Sequence, residues 1–212
     1  MTDDLANRLA ADLRPVPTYR LPLRLALGLA AGIMLAGALL LAWLRLRPDL
    51  ASSVFDPVFW MKFGYTLLLA GGGFWAAERA SRPGASARRP LLALLAVFVG
   101  CGAVGAAQLL LVPPTEMRTL VLGGSALLCP FYIVALSAPV FGAAILVMRR
   151  LAPTNLTLAG LAAGLLAGGA GAWIYAFHCT ENGIPFIAIW YTLGVMIVAT
   201  LGALSGRWLL RW

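Results

Sequence analysis

The chain has 212 residues, of which 61% are hydrophobic and only 11% charged, a balance that excludes an ordinary soluble domain, where roughly 25% carry charge. A net charge of +8 would suggest nucleic acid in a soluble protein, but in a chain this apolar the arginines first mark the sides of a membrane, and no direct nucleic-acid partner is expected. Too few residues lie outside the apolar runs for a separate soluble domain, so work done in water falls to a short tail, short loops or a partner.

The opening MTDDLANRLAADLRPV lacks the basic start, apolar centre and small-residue cleavage site of a signal peptide, so the first apolar run is expected to stay as an anchor. Thr2 can cap a short helix whose first turn carries Asp3 and Asp4, where acids complement the helix dipole, and Pro15 ends it at Arg14. Leu5, Leu9 and Leu13 share one face of that helix. Residues 1–20 therefore read as a cytoplasmic segment that either lies on the membrane or docks on a cytosolic protein. The mixed charge of Asp3, Asp4, Arg8, Asp12 and Arg14 argues against the first role, because lipid-surface helices carry a basic polar face.

Residues 21–212 read as an all-α bundle of six transmembrane helices, near 21–44, 58–77, 90–112, 122–148, 156–178 and 184–207, each close to the ~20 residues that cross the hydrocarbon. Twelve of the sixteen basic residues fall on the side of the termini, and Arg45, Arg47, Lys62 and Arg118 on the other. The positive-inside rule then puts both termini in the cytoplasm.

The first span carries the pair Gly28 and Gly32 and leads into the longest outer loop, 45–57, where Arg45, Arg47, Asp49 and Asp56 either cap the bundle or, as preferred here, stand in solvent. Lys62 and Glu78 in the second span lie close enough to its ends to snorkel, which leaves no charge deep in any span. The basic, turn-rich loop from Glu78 to Arg89 suits lipid headgroups first and a protein partner second. Cys101, between glycines in the third span, reads as a small apolar residue, and the short link VPPTEMRT predicts that spans three and four pair as an antiparallel hairpin.

The fourth span contains Cys129-Pro130 and Ser137-Ala138-Pro139, and both prolines are candidate hinges because each removes a helix donor. In the fifth span Gly160, Gly164 and Gly168 recur every fourth residue, a bare face that lets another helix backbone approach. Span four is expected to be the element that slides on this face. The sixth span follows ENGIPF and closes on RWLLRW; Trp43, Trp60, Trp173, Trp190, Trp208 and Trp212 near the span ends form an aromatic belt.

Candidate chemistry gathers at the outer end of spans four and five, where Cys129 and the run His178-Cys179-Thr180-Glu181 come near one another. His178, Cys179 and Glu181 with Cys129 can ligate a thiophilic metal, the two thiols can form a disulfide, or both can be inert packing residues. One histidine, no deep pair of acids and no Gly-rich phosphate loop leave an enzyme without its parts, and no resident cofactor is expected. A membrane-held sensor or interaction protein remains, with a small transporter or channel for a metal or small solute as the alternative, although ion pathways usually leave an ionisable residue deep in a span.

The segments LANRLAADLRPV, DPVFWMKFGYTL, SRPG, CPFYIVALSAPVF, RRLAPTNLTLAGLAAGLLAG and IYAFHCTENGIPFIAIWYTLG resemble the NrsF family of bacterial membrane anti-sigma factors almost from end to end. The resemblance implies a multi-pass inner-membrane protein that binds and silences an extracytoplasmic-function sigma factor. It further implies that cysteines at the positions of Cys129 and Cys179 take part in sensing heavy-metal or oxidative stress, with a heavy-metal ion as transient signal. Cys101 falls outside this carry-over.

Overall fold

The computed structural model describes residues 20–82, 84–151 and 153–211. The expected N-terminal helix, with Asp3, Asp4, Leu5, Leu9, Asp12 and Leu13, lies outside the described residues. Among those described, every regular element is helical. Helix α1 (Arg20–Leu39) runs on into a π-helical turn, Leu40–Leu44; α2 is Pro57–Ala80, α3 Arg88–Leu111, α4 Pro114–Leu122, α5 Leu128–Met148, α6 Leu156–Tyr175 and α7 Thr192–Leu209. A single turn, Leu50–Ser53, sits in the loop after α1, and a second π-helical turn, Ile187–Tyr191, leads into α7.

Five stretches are long and apolar enough to cross a membrane: Pro22–Leu44, Arg88–Leu111, Leu128–Leu151, Leu156–Tyr175 and Ile184–Leu209. Helix α2 has the length, 24 residues. Its hydropathy is diluted by Lys62, Tyr65, Thr66, the run Gly71-Gly72-Gly73 and the terminal Glu78-Arg79.

Two helix starts are set by local chemistry. Asp56 caps α2 by accepting the Val58 N–H at 2.8 Å, with Pro57 at the first helical position where its missing donor is harmless. Asn155 caps α6 through the Leu158 N–H at 2.9 Å.

Helix α6 is the hub. Burial covers 78% of its span, against 22% for α1 and 17% for α3, and its most extensive contacts are with α7, α2 and α5. Small residues make this possible on three faces. A Cβ at Gly160 would strike the backbone of Gly202 and Gly206, and one at Gly164 or Gly168 the backbone of Val198, Ala199 or Val195, so this face meets α7. Gly169 lies against Ala70 and Gly73 against Leu166, which joins α6 to α2, while Gly171 lies against Ser137 of α5. In a bilayer apolar surface is not driven together by water, so van der Waals contact between closely approached backbones has to hold the helices.

Several expectations are corrected here. The Gly160, Gly164 and Gly168 face packs on the last span, not on span four, so α5 has no glycine rail to slide along. Span four starts at Leu128 instead of 122, because Gly123, at φ +51°, breaks the chain after α4. Pro130 consequently falls in the first turn of α5, where no ladder bond is lost; only Pro139 lies inside the helix. The link after span three forms α4 in place of a tight turn, and α3 packs against α2 and the Ile184–Phe186 turn rather than as a hairpin with α5.

Candidate functional site

At the end of the bundle where α6 stops and α2 and α5 begin, five pieces of chain converge: the loop 45–56, the first turns of α2, the turn 123–127, the start of α5 and the segment 176–183. Helix α6 ends in a tight turn in which the amides of His178 and Cys179 both donate to the Tyr175 carbonyl, at 2.9 and 3.1 Å. That turn aims Cys179 inward. Its residue is 3% exposed, and Cys129 in the first turn of α5 is wholly buried in the same core.

Both thiols are free, as is that of Cys101. Tyr175 and Tyr191 are buried in the same core, the Tyr191 hydroxyl without a hydrogen-bond partner among the described residues. The two cysteines therefore belong to one buried cluster that also holds both tyrosines.

Two cations complete it. Lys62 was expected to snorkel to an interface; it is instead fully buried, with its ammonium donating to the backbone carbonyls of Cys179, at 3.1 Å, and Glu181. The Nζ also stands 5.9 Å from the centre of the Tyr191 ring. Five residues from the helix start is close enough to reach water only if no other chain lies in the way, and here the segment 179–181 covers the end of α2.

Arg47, expected in solvent, is only 3% exposed. Its guanidinium forks onto Asp49, Nε to Oδ1 at 2.8 Å and Nη2 to Oδ2 at 2.7 Å, and its Nη1 donates to the Cys179 carbonyl at 3.2 Å. Its own amide donates to the Phe177 carbonyl at 3.0 Å. The hydrogen bonds from Arg47 hold the Asp49 carboxyl down to about 2 and, reciprocally, push the guanidinium up. Asp56 adds a further tie by accepting from Asn182 Nδ2 at 2.7 Å. The loop 45–56 is thus the polar cap on the bundle, contrary to the solvated reading; Arg45 alone of its charges makes only backbone contacts, its carbonyl accepting from His178 Nδ1 at 2.9 Å.

The remaining expected ligands turn outward. His178 spends Nδ1 on the Arg45 carbonyl, and Glu181 Oε1 accepts from the Gly124 N–H at 2.8 Å and from Ser125 Oγ at 3.1 Å. A Cβ at Gly123 would collide with that carboxylate, so the glycine is needed both for its positive φ and for the approach. Among the described residues no three His, Cys, Asp or Glu side chains are grouped to hold a metal ion. The arrangement buries Cys129 and Cys179 in one core cluster and leaves His178 and Glu181 as ties of the covering loops. Lys62, Arg47, Tyr175 and Tyr191 are the members that sequence reasoning missed. The available signal was Lys62 itself, one ammonium in an otherwise apolar stretch, which by default marks a site within a membrane protein.

The family described as "Negative regulator of sigma F" (NrsF) matches residues 9–212. The chain is 41% identical over 216 residues to the anti-sigma-F factor NrsF of Caulobacter vibrioides, covering 100% of this chain and 99% of that protein. It is 42% identical over 211 residues to the probable anti-sigma-F factor NrsF of Azospira oryzae, again over 100% and 99%. No protein of solved structure matches. With a match over almost every residue, and with the apolar helical bundle that the family resemblance implies, the chain belongs to the NrsF family, the negative regulators of sigma F.

Proposed function

We propose that the chain is a membrane-embedded anti-sigma factor of the bacterial inner membrane that sequesters a sigma factor of the extracytoplasmic-function type and releases it when the outer thiols meet a thiophilic metal or an oxidant. The observation that carries the reading is the end-to-end match to two proteins named as anti-sigma-F factors. The topology that goes with it has six spans, α2 included, both termini in the cytoplasm and the end of the bundle that holds Cys129 and Cys179 outside.

The partner surface is assigned to residues 1–20, with Leu5, Leu9 and Leu13 seated in an apolar groove of the sigma factor and Asp3, Asp4 and Asp12 toward its basic rim. A stable interface takes about 800 Å² per partner, roughly 20 to 30 residues, so the loop Glu78 to Arg89 or the C-terminal Arg207 to Trp212 contributes as well. At the other end the two thiols buried in one core cluster are the seat for a two-coordinate soft ion or a disulfide. Joining them draws the start of α5 toward the end of α6 and alters their packing at Gly171 and Ser137. Pro139, inside α5, is the retained hinge. The transporter reading loses ground because the glycine faces of α6 are filled by the backbones of α2, α5 and α7 instead of lining a path.

Co-purification of the detergent-solubilised chain with its sigma factor tests the docking arm. The Leu9→Asp variant is expected to insert normally yet lose the complex; retention of binding and repression would remove the N-terminal helix from the interface. The sensing arm is tested by a sigma-dependent reporter in cells carrying Cys129→Ser, Cys179→Ser or both, exposed to cadmium or peroxide. Loss of induction with repression intact is expected, and full induction in the double variant would leave both thiols as packing residues.

A further inference from the structure

Two cations from different elements converge on a single carbonyl. Arg47 Nη1, from the loop after α1, and Lys62 Nζ, from α2, both donate to the Cys179 oxygen, at 3.2 and 3.1 Å, and Lys62 donates again to the Glu181 oxygen. This is an unusual use of buried charge. Arg47 has Asp49 as counter-ion, whereas the ion pairs among the described residues do not include Lys62. A buried ammonium without a carboxylate is costly unless dipoles replace its water, and here two peptide carbonyls do so. The segment they belong to has left α6 and has not yet begun the next turn at Ile184, so the regular helix ladder does not hold these two carbonyls. Side chains from elsewhere in the fold hold it in place.

We propose that Lys62 is a positioning residue for Cys179: with Arg47 it clamps the 179–181 backbone onto α2 and keeps the thiol shut inside the bundle until that segment lifts. The clamp deepens the sensing role proposed above, since it sets how readily the thiol is reached, yet it rests on geometry that stands without that role. Hydrogen bonds to a charged group are among the stronger ones in a protein, so loss of Lys62 shifts the opening equilibrium of the segment by about tenfold or more, which corresponds to ~1.4 kcal/mol.

The test uses the full chain in lipid nanodiscs, in two single-cysteine backgrounds: Cys179 alone (Cys101→Ser with Cys129→Ser) and Cys101 alone (Cys129→Ser with Cys179→Ser). Maleimide labelling of a buried thiol reports the population of the opened form when closing is fast. Adding Lys62→Met is expected to raise the labelling rate of Cys179 about tenfold or more and to leave that of Cys101, buried in α3, unchanged. Lys62→Gln, which keeps donors without the charge, is expected to recover part of the protection. Should Lys62→Met fail to insert, Arg47→Gln addresses the same carbonyl and is expected to raise Cys179 labelling by a smaller factor. An unchanged Cys179 rate overturns the clamp, and so does an equal rise at Cys101, which would mean general loosening. The reporter experiment on Cys179→Ser separates the two ideas: normal induction there removes the sensing role, while selective labelling still establishes the clamp.

Discussion

At Arg47 one side chain decides what the loop 45–56 is for. Three donors of its guanidinium are used, two on Asp49 and one on the Cys179 carbonyl, which is the planar fork used as a guanidinium allows and a lysine does not. The Asp49 carboxyl is held down to about 2 from an ordinary 3.8, so the pair favours the folded chain fully above pH 3.8, and that contribution fades as the pH falls through about 2. Asp49 stands half in solvent, so the effect is small and weakened by salt. Thermal unfolding of wild type and Asp49→Asn compared across pH should show a constant gap near neutrality that closes between 3.8 and 2. A gap that persists at the acid end would mean that the asparagine disturbs the loop by some route other than charge.

Among the elements, α6 is where substitution should be felt most, and where the reason is backbone geometry. Gly164 faces Val198 and Ala199 with no room for a Cβ, whereas Gly142 on α5 has nothing within 4 Å of where a Cβ would stand. Gly164→Leu should therefore force α6 and α7 apart and destabilise by at least the ~1–3 kcal/mol typical of overpacking, while Gly142→Leu should be close to neutral. Unfolding by denaturant in mixed micelles measures both, and equal effects would show that the α6–α7 contact does not bear the fold. Helix α5 is held differently. Gly32 of α1 packs on Val140 and the Pro139 carbonyl, so α5 is braced by a neighbour at its proline and any movement there must carry α1 with it.

For the molecule as a whole, α2 decides which ends of the bundle face which compartment. With α2 as a sixth span, reporter fusions after Gly84 and Pro153 should be active only as cytoplasmic enzymes, and fusions after Leu50, Glu116 and Glu181 only as exported ones. If α2 failed to cross, Leu50 and Gly84 would report the same side and every later loop would reverse. The structure supplies a physical motive for crossing despite modest hydropathy: Lys62, Tyr65 and Thr66, the groups that dilute α2, face the bundle and are buried there, with Tyr65 hydrogen-bonded to Thr192 at 2.5 Å, so lipid never meets them.

The apolar runs and their lengths were enough to specify an all-helical bundle with helices long and apolar enough to cross a membrane, and to place most helix ends within a few residues, because a span must satisfy its own backbone and its length is set by the bilayer. The family, too, was legible in segments such as the one that carries His178 to Phe186. What lay beyond the sequence was every choice of partner. Spacing shows that Gly160, Gly164 and Gly168 form a bare face, but not that α7 rather than α5 fills it. Likewise the charge of Lys62 shows that something must compensate it, but not that the 179–181 backbone folds over the end of α2 to do so, nor that Arg47 reaches the same oxygen from a third element. Periodicity is a property of one helix, whereas the compensation of a buried charge depends on which other chain arrives beside it, and only the tertiary structure decided that.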